Sequence, residues 1–119
     1  MRDFRKIKAF QYADDLVIEI YKLSQKFPRE EIYGLTSQLR RAAVSVAANI
    51  VEGASRAHSK DYVHFLHIAK SSLAEVEYLI SLASRLGYLA PGDFKKAEGL
   101  ADKAARTLYG LIQSMKKEI

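Results

Sequence analysis

The sequence predicts an all-α protein, an antiparallel up-and-down bundle of four helices. Three observations lead there. Apolar residues recur at steps of three and four along nearly the whole chain. The two prolines, Pro28 and Pro91, fall between periodic stretches, with Gly87 just ahead of the second. No alternating strand pattern, glycine-rich loop or low-complexity tract interrupts them. With 119 residues, the chain reads as one domain over 1–119.

Helix one is expected over about 9–27, on a seam of Ala9, Ala13, Leu16, Ile20, Leu23 and Phe27. Pro28 ends it by removing a backbone donor and restricting Phe27. Helix two is expected over about 29–52 on Ile32, Leu35, Leu39, Ala42, Val46 and then Asn49; Gly53 ends or kinks it. Helix three is expected over about 60–86, with Ser59 as N-cap. Its seam is Tyr62, Phe65, Ala69, Ser72, Val76, Leu79, Ala83 and Leu86, and Gly87 suits a left-handed C-terminal cap. Helix four is expected over about 91–117, Pro91 in its first turn, on Phe94, Ala97, Ala101, Ala104, Leu108, Leu111 and Met115. Gly99 and Gly110 lie inside it, each costing ~1 kcal/mol relative to Ala. Short connections between long helices force antiparallel neighbours. Further apolar stripes, such as Leu66, Leu73 and Ile80, either fill the core or leave apolar surface for a second copy; a homo-oligomer is the expectation.

Composition removes several function classes. Cysteine is absent, which excludes disulfides, thiolate metal sites and cysteine nucleophiles. The charged opening residues lead into no signal-like apolar run, and no stretch approaches bilayer length. No membrane association and a cytoplasmic location are the expectations. Lys and Arg outnumber Asp and Glu by 19 to 14, a net charge of +5 that favours RNA or DNA over acidic partners.

In helix two Gln38, Arg41, Ser45, Asn49, Glu52 and Arg56 form a polar stripe, and Asn49 falls on the apolar seam. A buried Asn needs hydrogen-bond partners. Helix three offers Ser72 and Glu75, so a buried polar network of Ser45, Asn49, Glu52, Ser72 and Glu75 is expected. It would fix register and pairing, as a polar residue does in a coiled-coil core; a ligand pocket is the competing reading. His64 and His67 share a face of helix three, but no Glu has a His three residues on, so the di-iron pattern is missing and surface histidines are expected. No nucleophile elbow, phosphate-cradling loop or dinucleotide fingerprint is present. The reading is therefore no enzyme, no cofactor and no metal. Arg40, Arg41, Arg56 and Lys60 are the candidate nucleic-acid contacts. A protein–protein scaffold or accessory subunit without nucleic-acid affinity is the alternative.

The helix two stretch Gln38-Leu39-Arg40-Arg41-Ala42-Ala43-Val44-Ser45-Val46-Ala47-Ala48-Asn49-Ile50-Val51-Glu52-Gly53 closely resembles the signature of the 23S rRNA-intervening sequence protein family. Phe65 to Glu75, Ala9 to Leu16 and Leu86-Gly87-Tyr88-Leu89 resemble its other blocks. Phe10 and Lys70 depart from it, a glycine being common in the family at the latter. The resemblance implies an antiparallel four-helix fold and a ring-shaped homopentamer. It also implies kinship with accessory variability determinant proteins of diversity-generating retroelements, basic rings that associate with a reverse transcriptase and bind nucleic acid. Gln38, Arg41, Ser45, Asn49, Glu52, Gly53, Ser72 and Glu75 carry the motif and are expected to hold the fold or a subunit interface.

Overall fold

A computed structural model describes residues 2–119. Four helices, α1 (Lys8–Ser24), α2 (Leu35–Ala54), α3 (Ser59–Arg85) and α4 (Pro91–Lys116), are joined by short connections, with single 3-10 turns at Phe4–Lys6 and Arg29–Glu31. Each helix packs on the two helices beside it around the ring. α1 touches α2 and α4, α3 touches α2 and α4, and the diagonal pairs make no close backbone approach among the described residues. Short links between such neighbours make the order up-down-up-down. The bundle measures 45 × 24 × 20 Å. Its length matches the 27 residues of α3, about 40 Å at 1.5 Å per residue.

The seams set the core, with shifts where a helix faces two neighbours rather than one. Leu16, Ile20, Leu39, Val46, Ile50, Leu66, Leu73, Val76, Ile80 and Leu108 are sealed from solvent. In α3 the Leu66–Leu73–Ile80 line is buried alongside Tyr62, Ala69, Val76 and Ala83, while Phe65 and Ser72 are only half-buried. Alanines Ala42, Ala43 and Ala47 are buried, whereas Ala48 faces solvent.

Several expected boundaries move. α1 stops at Ser24, three residues early. The Ser24 hydroxyl donates to the Ile20 carbonyl at 2.6 Å, and tight turns carry the chain on to Phe27. Helix two begins at Leu35 rather than Arg29. The Arg29–Glu31 turn and Gly34 intervene, and this turns Ile32 out of the expected seam to 51% exposure. Glu31 then caps α2 from outside: its carboxylate accepts the Leu35 N–H at 3.1 Å and the Tyr88 hydroxyl at 3.0 Å.

Gly53 lies one residue short of the end of α2. It is buried within the last turn, where an added Cβ would stand 2.8 Å from Tyr62 Cδ1 and 3.2 Å from the Tyr62 carbonyl oxygen. The intimate α2–α3 approach is therefore at Gly53, and Lys70 faces solvent. Ser59 is the first helical residue of α3, and the cap position belongs to His58, which makes no side-chain bond. Leu86 is exposed beyond the α3 end. Gly87 adopts φ +82°; Tyr88 N–H reaches the Ala83 carbonyl and Gly87 N–H the Ser84 carbonyl, closing a Schellman cap.

Candidate functional site

Two surface features gather the chemistry-bearing residues: a polar groove between α2 and α3, and the end of the bundle where the chain enters α1 and leaves α4.

The groove holds part of the expected polar network. Ser45 Oγ and Ser72 Oγ lie 2.8 Å apart, bridging the two helices. Asn49 Nδ2 donates to the Ser45 carbonyl at 2.8 Å and to its hydroxyl at 3.0 Å. These three residues are half-buried, so the network sits at the helix–helix seam rather than inside the core. The two glutamates stand apart from it and are exposed. Glu75 accepts from Gln38 Nε2 at 3.3 Å. Glu52 accepts from the Ser55 hydroxyl at 3.2 Å and pairs with Arg56 at 3.5 Å. Spacing alone cannot see this, because Glu52 lies seven residues from Ser45 and Glu75 three from Ser72, on the same stripes, yet both carboxylates are exposed. Toward the Gly34 end the groove widens to about 450 Å³, lined by Tyr33, Ser37, Gln38, Arg41, Ser45, Ser72 and Glu75.

The four candidate phosphate contacts separate into two places. Arg56 stands fifteen positions along the chain from Arg41, ~22 Å at the helical rise. Arg40 serves the fold. Its Nε donates to Ser24 Oγ at 2.7 Å, its Nη2 to the Tyr21 carbonyl at 3.3 Å, and its guanidinium covers the Tyr21 ring at 4.6 Å. Arg41 is exposed at the groove wall. Lys60 lies in the first turn of α3 and Arg56 on the α2–α3 turn, both exposed.

That turn belongs to the cationic end. Within one turn of the α1 start, the α2 end, the α3 start and the α4 end, together with the segments beyond, stand eight cations: Arg2, Arg5, Lys6, Lys8, Arg56, Lys60, Lys116 and Lys117. Four anions accompany them: Asp3, Glu52, Asp61 and Glu118. The surplus of four is most of the +5 of the whole chain. Asp3 is held by Arg5 at 3.0 Å, and hydrogen bonds from the Arg5 side chain and backbone keep its carboxyl below the ordinary range.

Arg2 is the residue that helical periodicity could not place. Its Nη1 donates to the Arg56 carbonyl at 2.8 Å and its guanidinium lies 4.4 Å over the Tyr62 ring. Arg56 in turn lies 4.6 Å over the Phe65 ring. Aromatic residues three apart at the start of α3 were the available signal. His58, His64 and His67 are exposed, and among the described residues no three His, Asp or Glu converge as a metal site. Among those residues no helix is long and apolar enough to cross a membrane.

No curated protein matches the chain. A crystal structure of a protein of unknown function from the S23 ribosomal protein family of Bacteroides thetaiotaomicron superposes with a TM-score of 0.81. It shares 21% identity, over 88% of this chain and 95% of that one, so it supports the four-helix fold. The family model described as 23S rRNA-intervening sequence protein matches residues 5–110. With that span covering nearly all four helices, the chain belongs to the 23S rRNA-intervening sequence protein family.

Proposed function

We propose that the chain is a non-catalytic, self-associating bundle, a ring of five copies, that contacts the phosphates of RNA or DNA through its cationic end. One observation carries the nucleic-acid reading: four helix termini bring a surplus of four positive charges to one end of a molecule whose whole surplus is five. Surplus charge scattered over a surface serves solubility, whereas charge focused on one face raises the local concentration of polyanions. Copies side by side would multiply that field. Exposed apolar side chains support association, among them Tyr33 at 97% exposure, Tyr78 and Tyr109.

Electrophoretic shift across a salt series tests the reading. Binding is expected at low salt, with log affinity falling linearly against log salt and little dependence on sequence. Absence of binding at low salt removes it and favours a protein scaffold. Mass measurement in solution tests the ring independently; a monomer at working concentration removes the assembly.

A further inference from the structure

We propose that Arg2 and Arg56 form a phosphate clamp at the α2–α3 turn that grips a phosphodiester of an RNA or DNA backbone. The clamp rests on the nucleic-acid reading above and assigns it to particular atoms. Arg2 is joined to the turn by its 2.8 Å bond to the Arg56 carbonyl, which brings the two arginines to one spot. Each guanidinium carbon lies over an aromatic ring, Arg2 over Tyr62 at 4.4 Å and Arg56 over Phe65 at 4.6 Å. Those rings are three residues apart on α3, hence neighbours on one helix face with Cβ atoms about 5–6 Å apart.

A guanidinium carries five N–H donors; Arg2 commits Nη1 to the Arg56 carbonyl and Arg56 turns Nη2 toward Glu52, so each keeps further donors for phosphate oxygens. Holding both side chains in advance lowers the ordering cost of binding. Two like charges side by side also repel, and one carboxylate offsets them: Glu52, 3.5 Å from Arg56 and half in solvent, where screening weakens the pair. An arriving anion relieves that repulsion. Arg56 is exposed at the α2–α3 turn, and Lys60, exposed in the first turn of α3, is placed to meet a neighbouring phosphate of the same polymer.

Fluorescence anisotropy with labelled single-stranded RNA and DNA, at low salt, tests the clamp on the full chain. Arg2→Ala and Arg56→Ala are each expected to weaken binding by roughly tenfold, the worth of a charge-assisted hydrogen bond. Arg56→Lys should lose most of that affinity despite keeping its charge, because an ammonium cannot bind phosphate edge-on. Glu52→Gln should strengthen binding a few-fold by freeing Arg56. RNA and DNA should respond alike, since a phosphate is all that is read. The charge-matched control is the pair Lys116→Ala and Lys117→Ala. If the arginine variants lose no more than this control, or if Arg56→Lys binds as the parent does, diffuse charge explains the affinity and the clamp is wrong while the nucleic-acid reading stands. Should the parent chain bind neither polymer, both fail. Circular dichroism melts of each variant separate lost contacts from lost fold, and Arg56→Lys and Glu52→Gln preserve the side-chain bulk if an alanine variant unfolds.

Discussion

Gly53 shows how far a single residue can mislead a reader of the sequence. Glycine near the end of a helical stretch reads as a stop, yet here it is the gap into which Tyr62 and Phe65 fit. Only the opposite helix reveals that, and its register is not written in α2. Gly53→Ala should destabilise the protein by about 1–3 kcal/mol, as overpacking does, despite the better helix propensity of Ala. Gly99 and Gly110 have open space where a Cβ would go, so Gly99→Ala and Gly110→Ala should each stabilise by about 0.5–1 kcal/mol. Thermal melts of the three variants check the contrast. Glu77 offers a test through pH. Burial, then the charges of Asp102 and Glu98, push its carboxyl above the ordinary range. The folded state thus prefers the protonated form, and its contribution is fully favourable below the unfolded value and lost as pH rises through the folded one. Glu77→Gln should therefore raise Tm at neutral pH, the gain shrinking to nothing as pH drops below the usual carboxylate range. An unchanged gain across that window would contradict the assignment.

At the scale of elements, the four helices and their order were legible because the apolar period is uninterrupted within each. The first two boundaries were not, and the cause lies in side chains reaching between elements. Ser24 is bonded both to its own helix and to Arg40 of α2, which pins the α1 end against its neighbour. Arg40, expected as a nucleic-acid contact, spends donors there instead. Arg40→Ala should cost about 1.5–3 kcal/mol, the range for hydrogen bonds to a charged group. A double-mutant cycle with Ser24→Ala should show the two losses to be coupled rather than additive. Between α2 and α3, the stripe of Ser45, Asn49 and Ser72 was legible as a unit, while the share of Glu52 and Glu75 was not, because spacing alone does not tell a flank from an interior. Ser72→Ala should cost about 0.5–1.5 kcal/mol through the lost bridge to Ser45. Urea unfolding would read both.

For the whole molecule, composition gave the net charge but not its address; the address comes from topology, which sets two helix starts and two helix ends side by side. The same arrangement has a practical corollary. The residues near both extremities of the sequence emerge together: Arg2 rests on the α2–α3 turn, and Ser59 meets Glu118 at 3.4 Å. Any affinity tag, fluorophore or fusion partner joined at either extremity would hang over the positively charged cap and shield it from a polyanion. The hairpin between α3 and α4, with Gly87 at the far pole some 40 Å away by helix length, is the place to carry a label that leaves the cap unobstructed.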